Sequence, residues 1–281
     1  NQPHLSKIIR ELERDLGCPI FDRTSRGMIP TVRGEEFLRY AKGIMEQEAQ
    51  LDKLCSRNKE CPREIRLCGP RASYISSTLK NFLKEDDRLF TTNVRYKETN
   101  SKDVVRLVSS KEFDLGIVRC QVLYEPFFLK MIQDEHLDSK VLWQFSPKVL
   151  MSPLHPLAGK EPLDHLDFSQ SVELLQGDIQ YPSFTPENTD CVLPDSDPRH
   201  TIYIYDRGSQ YEFLRHLPGA YMWTSPVPYS TLTEAKLIQR ECTRPDNVFK
   251  DLLVCRSNYR LSKAETELTQ WLGRTISQLS D

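Results

Sequence analysis

The sequence predicts a multi-domain protein with a small, partly helical head, a long linker helix and a large α/β region. Three observations support this prediction. Apolar residues recur at helical spacing in the first 16 residues, and a second helical stripe runs from about residue 35 to residue 57. From Ile65 onward, strand and helix patterns alternate, which is typical of parallel βαβ units. A chain of 281 residues is long enough for two or three folding units.

The head begins with a helix. Pro3 suits a first helical position, because its missing N–H costs nothing there, and Gly17 suits a left-handed C-terminal cap. Between them lies one apolar stripe, formed by Leu5, Ile8, Ile9, Leu12 and Leu16. The other face of the helix is polar and could meet DNA base edges and phosphates; it carries Gln2, His4, Ser6, Lys7 and Arg10.

A short hairpin follows this helix. Ile20 and Phe21 lead into a polar turn that carries Arg23 and Arg26, and the pair Met28-Ile29 returns as a strand. Thr31 can then cap a new helix. A helix followed by such a hairpin is the arrangement of the second half of a winged helix-turn-helix, which binds DNA through its recognition helix and wing.

The order and spacing of these residues resemble the LysR-type transcriptional regulators. The matching helix segments are Gln2-Pro3-His4-Leu5-Ser6, Ile9-Arg10-Glu11-Leu12-Glu13 and Leu16-Gly17. The matching wing residues are Ile20, Phe21, Arg23, Arg26, Thr31 and Gly34. The resemblance implies that residues 1–34 are part of a DNA-binding domain. It places Gln2, Pro3, Ser6, Lys7 and Arg10 at the major groove or its phosphates, and Arg23 and Arg26 on the DNA backbone beside it.

Residues 35–60 are predicted to form a linker helix and a dimerisation surface. Phe37, Ala41, Ile44, Leu51 and Cys55 recur at steps of three, four or seven residues. An apolar stripe on an exposed helix favours a coiled coil with a second copy of the chain. The alternative is a helix that packs on its own domain. The polar stretch from Ser56 to Pro62 is typical of a hinge.

The α/β region also resembles the effector domain of LysR regulators, which has a fold similar to the type 2 periplasmic binding proteins. The resemblance rests on the Asp114–Val118 run, on Leu154-His155-Pro156-Leu157-Ala158 and, more loosely, on Pro218–Trp223. It implies an effector-binding domain over residues 64–281. Lobe I would comprise residues 64–146 and 251–281, and lobe II residues 147–250. The proline-rich and acidic stretch Tyr181–His200 departs from the family pattern and is predicted to be a loop.

In open α/β sheets, ligands bind beyond the carboxyl ends of the strands, against helix N-termini. This rule selects residues after the first two strands and, from the other lobe, residues that would face the same cleft. The first group is Pro70, Arg71, Ala72, Ser73, Thr99, Asn100 and Ser101, and the second is Ser209, Trp223 and Thr224. Hydroxyls, backbone N–H groups and one arginine suit a small polar or anionic effector. The alternative for each residue is that it only caps its own helix.

Eight cysteines stand at positions 18, 55, 61, 68, 120, 191, 242 and 255, without a C-x-x-C pair or a histidine at zinc-finger distance. We therefore expect reduced thiols and no metal or other cofactor. A sharper hypothesis is thiol-based sensing, for which Cys120, Cys191 and Cys242 would be the residues to test. No nucleophile-elbow, phosphate-loop or dinucleotide motif occurs, so the sequence indicates no enzymatic activity.

The expected function is therefore DNA-binding transcriptional regulation, in which a ligand closes two lobes and changes the spacing of paired heads. The expected partners are double-stranded DNA, the effector, further copies in a homodimer or homotetramer, and RNA polymerase. No membrane association is expected, and the expected location is the cytoplasm. The sequence begins inside the head motif, so the helix that precedes the recognition helix is expected upstream of Asn1. The alternative is a small-molecule sensor module whose shortened head does not bind DNA.

Overall fold

The structure is a computed structural model, and it describes residues 9, 11–24, 27–55, 63–85, 90, 92–178, 200–243 and 248–280. The chain divides into two compact units, residues Asn1–Cys61 (unit 1) and Pro62–Asp281 (unit 2). No helix among the described residues is both long enough and apolar enough to cross a membrane.

Unit 1 contains a helix, a hairpin and a long second helix. Residues 11–16 are helical (α1), and Gly17 follows with a left-handed φ of 68°, as predicted for the cap. Strands β1 (Phe21–Thr24) and β2 (Gly27–Pro30) pair antiparallel, with Phe21 opposite Pro30. Helix α2 spans Val32–Cys55 and begins three residues before the predicted start at residue 35, directly after the cap residue Thr31.

Unit 2 contains two five-stranded sheets, each of which forms the centre of one lobe. The sheet of lobe I has the strand order β4-β3-β5-β12-β6. Its strands are β3 (Arg63–Gly69), β4 (Thr92–Glu98), β5 (Leu115–Gln121), β6 (Leu137–Phe145) and β12 (Phe249–Arg256). Strands β3, β4 and β5 run parallel, and β12 is antiparallel to β5 and β6. Its helices are α3 (Ser73–Lys84), α4 (Ser101–Ser109), α5 (Glu125–Asp134) and α8 (Lys263–Ser280), with a 3-10 turn at Val122–Tyr124.

The sheet of lobe II has the strand order β11-β7-β10-β8-β9. Its strands are β7 (Lys148–Met151), β8 (Val172–Gln176), β9 (His200–Ile204), β10 (Ala220–Thr224) and β11 (Ile238–Arg240). Helices α6 (Arg207–His216) and α7 (Tyr229–Ala235) and the 3-10 helix His165–Gln170 complete the lobe. Only residues 146 and 147 separate β6 in lobe I from β7 in lobe II. The two lobes are therefore joined by a short strand connection.

Each sheet is covered by apolar side chains. In lobe I, one buried cluster unites α3 and α8 with the sheet, and a second unites α4 and α5 with it. Gly116 shows how closely α4 approaches β5, since a Cβ there would lie 2.6 Å from a methyl group of Val104. Lobe II likewise has two clusters, one around Leu214 and Met222 and the other around Phe168 and Tyr221.

The predicted elements of lobe I are present with small shifts of their ends. Strand β5 begins at Leu115, one residue after the start of the Asp114–Val118 run, and the Asp114 carboxylate is held by Arg66 and Arg256 at distances of 2.7 Å. The last helix begins with a capping box: the Ser262 N–H donates to Glu265, and the Glu265 N–H donates to the Ser262 hydroxyl. The stretch Tyr181–His200 lies outside the described residues except for His200, which begins β9 and is not part of a loop.

Candidate functional site

The motif residues of the head hold the hairpin between the two helices. Oε1 of Glu13, on α1, accepts hydrogen bonds from the backbone N–H groups of Ile20 (2.9 Å) and Phe21 (3.0 Å). Thr31 donates its hydroxyl to the Pro19 carbonyl and accepts the N–H of Gly34, both at 2.9 Å. Thr31 therefore caps α2, as predicted, and also ties that helix to the start of the hairpin.

Position 34 requires glycine because the backbone of Ile20 lies too close for a side chain, and not because of a left-handed φ. A Cβ at this position would lie 1.9 Å from the carbonyl oxygen of Ile20. That same oxygen accepts the Thr31 N–H at 2.9 Å, so it cannot move away without loss of a hydrogen bond. The spacing from Ile20 to Thr31 and Gly34, which carried the family resemblance, thus corresponds to a packed corner of the head.

The residues predicted to contact DNA lie mostly outside the described part of the chain. This applies to Gln2, Pro3, Ser6, Lys7, Arg10 and Arg26. The backbone of Arg23 lies on β1, where it is paired with Met28 on β2. Their assignment to DNA therefore remains a prediction.

Helix α2 carries an exposed apolar face. The exposed fractions are 66% for Ile44, 69% for Met45 and 39% for Leu38, while Phe37 and Ala41 are half-buried. The side chains of Leu51 and Cys55, the other members of the predicted seam, lie outside the described set. An amphipathic helix with an uncovered apolar face is suited to a partner helix.

In lobe I, the structure brings together the predicted residues that follow the first two strands, 70–73 and 99–101. Strands β3 and β4 end side by side, and the Thr99 N–H donates to the Gly69 carbonyl at 2.8 Å. Asn100 caps α4 by accepting the Asp103 N–H at 2.9 Å. The Ser101 hydroxyl accepts the Arg119 N–H at 3.0 Å and donates to the Arg119 carbonyl at 2.6 Å. Ser101 is thus engaged with the backbone of its own lobe.

The residues after β3 contact lobe II directly. Arg71 forms an ion pair with Asp178, Nη1 to Oδ1 at 2.6 Å, and donates from Nη2 to the Tyr205 carbonyl at 2.7 Å. The Ser73 hydroxyl lies 2.6 Å from the Tyr211 hydroxyl. Pro70 is half-buried, and Ala72 is buried at the N-terminal cap position of α3. Arg71 and Ser73 therefore do lie at the cleft, but their polar atoms are occupied by the opposite lobe.

A second arginine crosses the cleft from the other side, and the sequence analysis missed it. Arg207, the first residue of α6, forms an ion pair with Glu98 at 2.5 Å and donates from Nη1 to the Ser76 hydroxyl at 2.8 Å. Glu98 also accepts the Tyr96 hydroxyl at 3.0 Å. The sequence held a signal for this pair, because Glu98 directly precedes the predicted residue Thr99 and Arg207 lies two positions before the predicted residue Ser209.

The remaining predicted residues of lobe II are engaged within that lobe. The Ser209 N–H donates to the Asp206 carboxylate at 2.8 Å, which is a helix cap. The Thr224 hydroxyl accepts a hydrogen bond from Gln239 at 2.7 Å. Trp223 packs against the apolar cluster that contains Phe168 and Tyr221.

A buried polar network lies within lobe I, between β5 and β12. Asp251 is fully buried and accepts two hydrogen bonds from Arg119 (2.8 and 2.7 Å), one from Tyr74 (2.7 Å) and one from Trp143 (3.2 Å). Burial on its own lowers the pKa of Arg119, but the adjacent Asp251 carboxylate and Tyr74 together outweigh that effect, so the pKa is raised. Burial and then the same carboxylate raise the pKa of the Tyr74 phenol well above its usual value.

The cysteines give little support to thiol sensing. Cys120, one of the three cysteines named for this test, is buried in the α4–α5 cluster, and burial raises its pKa to about 12. Burial has the same effect on Cys68, whose pKa is also about 12. Such thiols stay protonated and unreactive at neutral pH. Cys242 is half-exposed, and Cys191 lies outside the described residues. No group of three or more potential metal ligands occurs in the described ranges.

These features define a winged helix-turn-helix head joined through a long helix to a two-lobed α/β unit. Residues 1–35 match the family model of the bacterial regulatory helix-turn-helix protein, lysR family. The head therefore matches the LysR family model, and the resemblance that the sequence motifs predicted is confirmed.

Curated relatives agree with this assignment. The regulatory protein NocR of Agrobacterium tumefaciens is 28% identical over 120 residues, which cover 41% of this chain and 39% of NocR. An uncharacterized HTH-type transcriptional regulator of Sinorhizobium fredii, y4mQ, is 32% identical over 134 residues, covering 40% of this chain and 44% of the relative. The chain thus matches about two-fifths of the length of these relatives. Both names describe regulators rather than enzymes.

Solved structures show the same fold over the whole chain. Full-length OxyR from Pseudomonas aeruginosa superposes with a TM-score of 0.58 at 18% identity, covering 98% of this chain and 88% of OxyR. The effector-binding domain of QuiR, in complex with shikimate, superposes with a TM-score of 0.50 at 15% identity, covering 78% of this chain and 99% of that domain.

Proposed function

We propose that the protein is a DNA-binding transcriptional regulator whose two-lobed unit binds a small polar or anionic effector. The observation that carries this proposal is the match of residues 1–35 to the LysR helix-turn-helix model, in one chain with the two-lobed fold. The proposed organisation is a DNA-binding domain in residues 1–34, a linker and dimerisation helix in residues 35–60 and an effector-binding domain in residues 64–281. We propose action in the cytoplasm, with RNA polymerase as a further partner.

In this proposal, the recognition helix supplies the major-groove contacts through Gln2, Pro3, Ser6, Lys7 and Arg10. Arg23 and Arg26 would contact the DNA backbone from the hairpin. The tether from Glu13 to the Ile20 and Phe21 backbone supports this assignment, because it fixes the start of the hairpin against α1. A rigid wing holds basic side chains at a set distance from the helix.

The effector would bind between the lobes, where Arg71 and Ser73 meet Tyr211 and the α6 N-terminus. Residues 70–73, 99–101, Ser209, Trp223 and Thr224 remain the proposed effector set. The QuiR domain holds shikimate in the same fold, which supports a small-molecule role without naming a ligand. A thermal-shift screen of the full chain with small carboxylates tests this part, because a ligand that binds only the folded state raises the melting temperature.

DNA binding is tested by fluorescence anisotropy of the full chain with labelled promoter fragments from the region around its gene. We expect the logarithm of the affinity to fall linearly with the logarithm of the salt concentration, with a slope that reflects the number of phosphate contacts. Replacing Lys7 by alanine should weaken binding by about tenfold and reduce the slope by about one. Arg14→Ala is the matched control, since Arg14 lies on α1, is 76% exposed and forms an ion pair with the neighbouring Asp15.

A salt-independent affinity that is equal in the wild type, Lys7→Ala and Arg14→Ala would contradict the proposal. It would favour the alternative of a sensor that does not bind DNA.

A further inference from the structure

The two lobes of unit 2 are connected across the cleft by a set of polar contacts. Arg71 of lobe I holds Asp178 and the Tyr205 carbonyl of lobe II. Arg207 of lobe II holds Glu98 and Ser76 of lobe I. The arrangement is reciprocal, because each lobe supplies one arginine and one carboxylate.

These two ion pairs differ from an ordinary surface pair. The side chains of Arg71 and Asp178 are 10% and 26% exposed, and those of Arg207 and Glu98 are 21% and 20% exposed. A third pair, Lys80–Glu234, also crosses the cleft, but it is 3.5 Å long and its side chains are 42% and 68% exposed. Exposed pairs of that kind contribute little, whereas partly buried, short pairs are screened less by water and salt.

The connection between the lobes is fixed on the lobe I side. Phe145, the last residue of β6, stacks on Phe249, the first residue of β12, with ring centroids 6.1 Å apart. Arg119 lies over the Phe145 ring at 4.9 Å and is held in turn by the buried Asp251. Any change in lobe spacing must therefore occur beyond Phe145 and Phe249, and it must break the contacts that cross the cleft.

We propose that the pairs Arg71–Asp178 and Arg207–Glu98 form an ionic latch that keeps the lobes in contact before an effector binds. The latch rests on the proposed function only in that the effector is taken to enter this cleft. The latch changes the expected role of Arg71, because an incoming effector must compete with the Asp178 carboxylate that Arg71 already binds. Release of the latch is then a step of the regulatory switch. The strength of the two ion pairs sets the fraction of molecules whose lobes are open.

The test is hydrogen–deuterium exchange of the full chain, read by mass spectrometry without DNA or effector. The double variant Glu98→Gln/Asp178→Asn removes both carboxylate charges and keeps the side-chain shapes. We expect exchange in peptides that cover residues 70–76 and 204–211 to become at least about threefold faster, because opening of the lobes exposes both segments. The peptide that covers β12 should keep its protection and shows that lobe I remains folded.

The matched control is Glu125→Gln, which removes a carboxylate from a pair within lobe I. Lys250 and Glu125 lie 2.6 Å apart with side chains 20% and 19% exposed, close to the values of the latch pairs. This control should leave exchange in residues 70–76 and 204–211 unchanged. Asp178→Asn alone should give a smaller increase and serves as the second variant if the double variant loses protection in β12.

Wild-type exchange in both cleft peptides of a folded latch variant would overturn the proposal. An equal increase in the control would do the same, because it would show a general loss of stability. Neither result depends on DNA binding or on effector binding, so failure of the latch is distinguishable from failure of the proposed function.

Discussion

Unit 1 and unit 2 differ in how far their apolar side chains are buried. In unit 2, large side chains such as Tyr74, Phe82 and Tyr221 are fully buried within its own lobes. Among the described residues of unit 1, Ile20 is the one fully buried apolar side chain, while Val32, Ile44 and Met45 are 88%, 66% and 69% exposed. Unit 2 therefore carries its own cores, and unit 1 offers a surface that gains stability from a partner.

The largest expected effect is in unit 2, where a charge is buried. Replacing Asp251 by alanine leaves Arg119 without its carboxylate and removes the acceptor of Tyr74 and Trp143. We expect a loss of about 3–5 kcal/mol in the free energy of unfolding of this unit, since breaking a buried pair strands the other charge. Chemical denaturation, followed by the fluorescence of Trp143 and its neighbours, measures the loss.

Asp134→Ala is the control for this change, because Asp134 is exposed near the end of α5. We expect its effect to stay within about 0.5 kcal/mol. A similar small effect for Asp251→Ala would mean that the buried network does not stabilise lobe I.

The second prediction concerns the packed corner of unit 1. In Gly34→Ala, the new methyl group would collide with the Ile20 carbonyl oxygen, so either α2 or the hairpin must shift. We expect a cost of about 3 kcal/mol, at the upper end of ordinary overpacking, because the obstacle is backbone. Hydrogen exchange should show faster exchange in the peptide that covers residues 19–34 and no change in the strands of unit 2.

Gly43→Ala tests the same substitution in the same helix without the collision, since nothing lies within 4 Å of its added Cβ. This control should stabilise α2 by about 1 kcal/mol, because alanine is the better helix former. If both alanine variants behaved alike, the close approach at Gly34 would not constrain the head.

The two units also differ in what the sequence alone could predict. In unit 1, the cap at Thr31 and the turn at Gly17 depend on residues close in the chain, so local patterns predicted them. In unit 2, the strand and helix alternation was local too, and most of lobe I was predicted. The contacts that cross the cleft were not, because Arg71 and Asp178 are 107 positions apart and Arg207 and Ser76 are 131 apart. The sequence predicted Arg71 at the cleft but could not identify Asp178 as the residue whose carboxylate binds Arg71.

The smallest predicted effect concerns the surface that unit 1 leaves uncovered. If the exposed face of α2 is the proposed dimerisation surface, Ile44→Glu places a charge in the seam and removes a buried isoleucine. Burial of the exposed 66% of this side chain contributes about 1 kcal/mol in each of the two copies. The dimer would therefore lose about 2 kcal/mol, and we expect its dissociation constant to rise by about thirtyfold. Sedimentation equilibrium of the full chain measures this rise.

Lys42→Glu is the control, since Lys42 is an exposed residue of α2 outside the proposed seam and receives the same side chain. Equal weakening by both variants would indicate a general charge effect. No weakening by Ile44→Glu would mean that the apolar face of α2 is covered by something other than a second copy.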